Sequence, residues 1–292
     1  MSVVAFGAVR SCGVTTLALA AAATWPQGRR VLLAELDPAG GTLAAASGWP
    51  PQPGLVSLAA AARRGNDPEL VWEHCHELPA GVPVLAGPAS ADQTRTALGM
   101  LTGLLGRLGE LNADVLLDCG RVVAEPLSQA LLAADQVVLV ARPRLADLHT
   151  LATWMESAPL EGNHLSLVLV GQGPYPKAEV QEALGVPVVA HLPWDPEGAV
   201  GLVSLPASAR ELKVSPLVRA ARTLGDELSG RIADTSTDGD SSFPLIVTQS
   251  HPRWRRELRL SPKIGQKILV FCTIRGYAQG VPCGGVLSSR IC

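Results

Sequence analysis

Ser2-Val3-Val4-Ala5-Phe6, followed by Gly7-Ala8-Val9-Arg10-Ser11-Cys12-Gly13-Val14-Thr15-Thr16, is the stretch on which the fold turns. The first five residues are a short apolar run that predicts a buried strand. The alanine-rich and leucine-rich run from Leu17 to Thr24 predicts a helix. A strand, a tight glycine-containing turn and a helix opening with Thr15-Thr16 aim backbone N–H groups and the positive helix end at one point, which suits an anion. The full phosphate-loop pattern is G-x-x-x-x-G-K-[ST], with the lysine reaching the β/γ-phosphates and the hydroxyl on magnesium. Gly13 and Thr15 fit it, while Ala8 stands for the first glycine and Val14 for the lysine. Taken by itself, this loop reads equally as a structural turn before a core helix.

Two further segments shift that balance. Val31-Leu32-Leu33-Ala34-Glu35-Leu36-Asp37 is an apolar strand that ends in two carboxylates, and Pro38-Ala39-Gly40-Gly41 turns the chain after it. Ala113-Asp114-Val115-Leu116-Leu117-Asp118-Cys119-Gly120 is another strand ending in an acid, as a magnesium-linked aspartate would. Parallel sheets deliver ligand groups at such carboxyl ends. A lone strand-terminal aspartate is more often a turn former, but three pieces in the right order rarely arise by chance.

In these residues the chain, from about 1 to about 230, resembles the MinD/ParA family of deviant Walker P-loop ATPases. The family loop reads K-G-G-x-G-K-T-T, so Val9 and Val14 fall where its signature and Walker lysines stand, and both lysines are absent. Actinobacterial members with G-V-T-T in place of G-K-T-T are similar in this respect. The resemblance implies that residues 10–16 (Arg10, Ser11, Cys12, Gly13, Val14, Thr15 and Thr16) cradle ATP, and that Thr15 and Asp118 hold Mg2+. It implies that Asp37 positions the attacking water, with Glu35 replacing the first acid of the family's D-x-D pair. Cys119-Gly120-Arg121 departs from the usual T-P-P or A-P-P. Ala133-Ala134-Asp135-Gln136-Val137-Val138-Leu139-Val140 and Gly185-Val186-Pro187 through Pro193-Trp194-Asp195-Pro196 are similar to two later family segments. In the family two subunits face each other across the nucleotides, so a homodimer and a protein partner or cargo are implied. Phosphoryl transfer depends on positioned positive charge, so loss of both lysines makes nucleotide binding better supported than turnover. An adaptor that keeps the fold and needs no nucleotide is the alternative. A metabolic P-loop enzyme fits poorly, because the cysteines do not match a bridging cluster pattern.

Strands are predicted near 2–7, 31–36, 82–86, 114–118, 136–141, 165–170 and 187–191. Helices are predicted near 15–24, 54–63, 68–75, 91–109, 126–133, 145–157, 177–183 and 216–230. Strands interleaved with helices predict an α/β fold: a doubly wound, mostly parallel sheet with helices on both faces. Hydrophobic content of 47% with only 4% aromatics means a core of Ala, Val and Leu. No apolar stretch reaches the roughly twenty residues that span a bilayer, and the N-terminus reads as a strand rather than a leader, so the expectation is a cytoplasmic protein. Cysteines at 12, 75, 119, 272, 283 and 292 form no C-x-x-C pair, which argues for free thiols.

The P-loop domain is expected over 1–232 and a linker with a basic tail over 233–292. Thr235 to Ser242 is polar, and beyond it alanine nearly vanishes while Ile, Phe and Lys appear. Residues 236–292 carry eight basic side chains against three acids, whereas the rest of the chain carries sixteen against twenty-three. A solvated or non-native tail is the favoured reading, with contact to nucleic acid or an anionic membrane as the other candidate. Arg210, Lys213, Arg219 and Arg222 make a candidate nonspecific DNA face, although acids are interleaved with them. His74-Cys75-His76 reads as a surface helix end rather than a metal site, and Arg10, Arg142 and Arg144 are candidates to replace the missing lysine charge.

Overall fold

The computed structural model describes residues 1–237 apart from 27, 79, 123–127, 157, 159–163 and 204–214. Arg210, Lys213 and the basic tail lie outside the described residues. Eight strands make one sheet: β1 (Val3–Ala8), β2 (Val31–Glu35), β3 (His76–Glu77), β4 (Pro83–Leu85), β5 (Asp114–Arg121), β6 (Gln136–Ala141), β7 (His164–Val170) and β8 (Val188–Leu192). Their order across the sheet is β3-β4-β2-β5-β1-β6-β7-β8, and every pairing except β3 with β4 is parallel. The doubly wound parallel sheet expected from the sequence is therefore present. The central strands are near-continuous Val, Ala and Leu because helices cover both of their faces.

The helices are α1 (Val14–Ala23), α2 (Leu43–Ala46), α3 (Leu55–Ala62), α4 (Ala91–Leu105), α5 (Ser128–Leu132), α6 (Leu145–Met155), α7 (Lys177–Leu184), α8 (Pro196–Val203) and α9 (Pro216–Thr237). Helix α4 shows how pattern sets packing. Thr94, Ala97, Leu98, Leu101, Leu104 and Leu105 recur at helical spacing and are buried, while Ser90 caps its start by accepting from the Gln93 N–H. Helix α1 is different. Leu17 through Ala22 are all buried, because this helix lies under α8 and α9 as well as against the sheet, and its alanines let those neighbours approach closely. Each large aliphatic side chain buried this way contributes roughly 1.5–3 kcal/mol.

Some local expectations fail for physical reasons. The segment expected as a helix near 68–75 is a 3-10 turn over Pro68–His74, opened by Asp67 accepting from the Glu69 N–H. His76 then belongs to the short antiparallel strand β3 rather than to a helix end. The last helix runs to Thr237, through the first residues of the polar stretch at 235–242.

The start of β5 is pinned by a buried acid. Asp114, 1% exposed, accepts from the Ser2 hydroxyl (2.9 Å) and the Trp25 indole Nε1 (2.8 Å) and pairs with Arg29 (2.8 Å). One carboxylate thereby ties together the N-terminus, the end of α1 and the approach to β2. At the opposite edge, Asp195 caps two helices at once. It accepts from the Gly198 N–H of α8, and from the Ser215 hydroxyl and the Leu217 N–H at the start of α9.

Candidate functional site

The strand order reverses at β1, which has β5 on one side and β6 on the other. A crevice at the carboxyl ends of the strands opens at such a switch point. The loop from Val9 to Gly13 leaves β1 there and enters α1. Gly13, at φ 96°, takes the left-handed conformation needed to turn into the helix, and no side chain caps the helix start. The first-turn N–H groups of α1 therefore face outward for a ligand or water.

The loop side chains divide sharply. Ser11 is exposed and Thr15 and Thr16 are half-buried. Val14 is only 6% exposed and packs in the main hydrophobic cluster, so it presents backbone alone to the crevice. Cys12 points the same way: its thiol donates to the Val140 carbonyl (3.2 Å), and burial pushes its ionisation up to about 12. Arg10 is held by Asp147 of α6 at 2.9 Å. Its charge is thus already matched within the fold.

Three carboxylates converge beside this loop. Glu35 and Asp118 are register partners in adjacent strands. Glu35 is buried and fully used: one oxygen accepts from the N–H groups of Thr42 (2.6 Å) and Leu43 (3.0 Å), the other from Gly87 (3.0 Å). Burial raises its ionisation, and those three N–H groups oppose the rise. It is the strut that holds the loops after β2 and β4 in place. Asp37 is half-buried, accepts from the Ala39 N–H (2.8 Å) and lies against the backbone of Gly120.

Asp118 is the atypical acid of the three. It has no exposed surface; one oxygen accepts from the Gly120 N–H (3.0 Å), while Oδ2 has no hydrogen-bond partner. Burial pushes its ionisation up to about 7; the Thr15 hydroxyl pulls it down, and the nearby Glu35 and Asp37 push it further up. A buried, orphaned carboxylate oxygen next to a threonine hydroxyl is the arrangement a hard cation satisfies. The structure thus brings Thr15, Asp37 and Asp118 to one edge.

The remaining sequence candidates go elsewhere. Arg142 lies over the exposed Trp194 ring, 5.5 Å from its centroid, and Arg144 is exposed at the start of α6. His74 shares a 2.9 Å hydrogen bond with the Ser57 hydroxyl, and the His76 ring stacks on Trp49 at 4.8 Å. Among the described residues no group of three His, Cys, Asp or Glu is placed to hold a metal ion by itself, and no helix is long and apolar enough to cross a membrane. The double cap made by Asp195 is not legible in the sequence, where this residue stands out only as part of the Pro193-Trp194-Asp195-Pro196 segment.

No family model matches the sequence, and none of the curated proteins matches it. Solved structures do. The chain is similar to a ParA family ATPase from Chlorobium tepidum, with 15% identity, a TM-score of 0.65, and 78% of this chain and 98% of that one covered. It is similar to the septum site-determining protein MinD complexed with Mg-ADP from Pyrococcus horikoshii (20% identity, TM-score 0.62, 79% and 98% covered). It is also similar to a chain of the MinC:MinD cell division protein complex of Aquifex aeolicus (13% identity, TM-score 0.56, 79% and 96% covered). At these identities the likeness is one of fold, and the fold is that of the MinD/ParA-like P-loop proteins.

Proposed function

We propose that the protein is a MinD/ParA-like nucleotide-binding switch that takes up ATP with Mg2+, turns it over slowly or not at all, and uses the bound state to dimerise and position a cargo such as DNA or a division or secretion component. The observation that carries this reading is Asp118, a sealed carboxylate with an orphaned Oδ2 beside the Thr15 hydroxyl, at the mouth of an uncapped helix. Thr15 and Asp118 fit the magnesium site and the backbone of residues 10–16 fits the phosphate cradle. Bound magnesium would supply the positive charge that offsets both the phosphates and the three acids. In this reading Asp37, which rests on Gly120, orients the water molecule, and its position beside Asp118 supports that role. The Mg-ADP complex of the Pyrococcus protein lends support to the ligand class, and the MinC:MinD complex to the idea of a protein partner.

Slow turnover follows from charge. Val14 is a core residue and Arg10 is paired with Asp147, so neither supplies a cation for the γ-phosphate. The same two facts favour a second reading, an adaptor that presents the fold to a partner without nucleotide. Calorimetric titration with ATP and Mg2+ separates the two. The switch reading requires binding that weakens on Asp118→Asn and Thr15→Ala. Absence of binding at millimolar ATP, together with a partner complex indifferent to both substitutions, establishes the adaptor instead.

A further inference from the structure

We propose that Arg121 is the cation that meets the phosphate chain in place of the missing loop lysine; this rests on the nucleotide-binding reading above. Strands β1 and β5 pair in register from Val3 with Val115 to Phe6 with Asp118, but the next partner of β5 on that edge is Ala8 with Arg121. Two steps along β1 therefore match three along β5. The extra residue is a bulge around Gly120, whose φ of +52° is a left-handed value. Bulges bend a strand and re-aim the side chain that follows, and they recur next to functional sites. Here the bulge carries β5 three residues beyond Asp118 and sets Arg121 opposite Ala8, the residue that opens the loop. The Val122 N–H then donates to the Ala8 carbonyl at 3.0 Å and fixes that position.

Arg121 is the exposed residue of this segment, while Asp118, Cys119, Gly120 and Val122 around it are buried. Among the described residues its guanidinium makes neither a hydrogen bond nor an ion pair. Two of its competitors are engaged, Arg10 by Asp147 and Arg142 over the Trp194 ring, and Arg144 stands at the start of α6, after β6 on the opposite flank of β1. Two independent observations point to a ligand at this edge: the uncapped α1 start and the orphaned Oδ2 of the sealed Asp118. With Glu35, Asp37 and Asp118 close by, a polyanion needs local positive charge beyond a single magnesium ion. A guanidinium supplies it with a planar fork that matches two phosphate oxygens.

The test is titration of the full chain, in Mg2+, with ATP, ADP and adenosine. Arg121→Ala is expected to weaken ATP and ADP by about tenfold or more and leave adenosine and the thermal midpoint unchanged. Arg121→Lys should recover part of the loss, and Arg144→Ala should stay within about twofold of the unaltered chain. If the unaltered chain binds ATP and Arg121→Ala binds it equally well, the assignment to Arg121 falls and the nucleotide reading stands. Equal loss of adenosine and ATP also overturns it, because the arginine would then act through the fold. If the unaltered chain binds neither ATP nor ADP, both the assignment and the nucleotide reading fall.

Discussion

The carboxylate of Asp37 rests against the backbone of Gly120, so closely that a β-carbon on residue 120 would overlap the Asp37 side chain. Gly120 also sits at φ +52°, a conformation that strains any residue with a β-carbon. Gly120→Ala is therefore expected to lower the free energy of unfolding by about 2 kcal/mol or more and to push Asp37 away from Asp118. Denaturant unfolding checks the first effect. Titration with Mg2+ and ATP checks the second, and unchanged affinity would remove Asp37 from the site.

The contact between Asp37 and Gly120 also shows what a sequence conceals. Seven of the eight strands are legible because buried parallel strands are short apolar runs bounded by turn residues. Strand β3, two residues long and including a histidine, carries no such signal; nor do α2 and α8, each a short helix beside glycines. The candidate site residues Thr15, Asp37 and Asp118 are visible as strand-end and helix-start residues, since a parallel sheet gathers those ends on one edge. What they touch is not visible. The pairing of Arg10 with Asp147 spans more than half the length of the body of the chain, and the inward direction of Val14 depends on how α1 is rolled against β1. The bulge at Gly120 depends on register between strands, which no local pattern encodes.

Asp114 is expected to be the most stability-critical acid at the sheet's other edge. Asp114→Ala leaves the Trp25 indole N–H and the Ser2 hydroxyl without acceptors in a region where both residues are buried, and it frees Arg29. The loss should be about 2–4 kcal/mol, since an unpaired buried donor costs its desolvation. The Arg29 side chain is 35% exposed and can turn to water, so Arg29→Ala should cost less. Urea unfolding of the two variants gives the ranking, and equal losses would contradict it.

Asp195 gives a pH dependence of known sign. Its carboxylate is held below the ordinary aspartate range, first by the Ser215 hydroxyl and then by the Gly198 and Leu217 N–H groups. A depressed carboxylate contributes stability that is fully present above its unfolded value and is lost as pH falls through the folded one. Asp195→Ala should therefore cost about 1–2 kcal/mol at neutral pH, the size of a helix cap serving α8 and α9 together. The gap between the two proteins should narrow as pH falls below about 4. Thermal midpoints from neutral to acidic pH measure it, and a gap that is constant with pH would show that packing rather than the charged cap is lost.

Val14→Lys tests whether the loop lacks only a charge. In the free protein the new side chain replaces one that packs against the hydrophobic cluster containing Leu17, Cys12 and Val140, so unfolding should become easier by about 1–3 kcal/mol. The lysine stem can follow the helix start outward and place its ammonium at the crevice mouth, as long basic side chains do when their stems are buried. On the proposed nucleotide reading it there adds a cation for the phosphates, so affinity for ATP in Mg2+ should rise by about tenfold, and saturating nucleotide should recover the lost thermal midpoint. Differential scanning calorimetry with and without ATP and Mg2+ reads both effects. Destabilisation without a gain in affinity would mean that position 14 is aimed at the core by the backbone itself, and that the loop has been reshaped rather than merely stripped of its lysine.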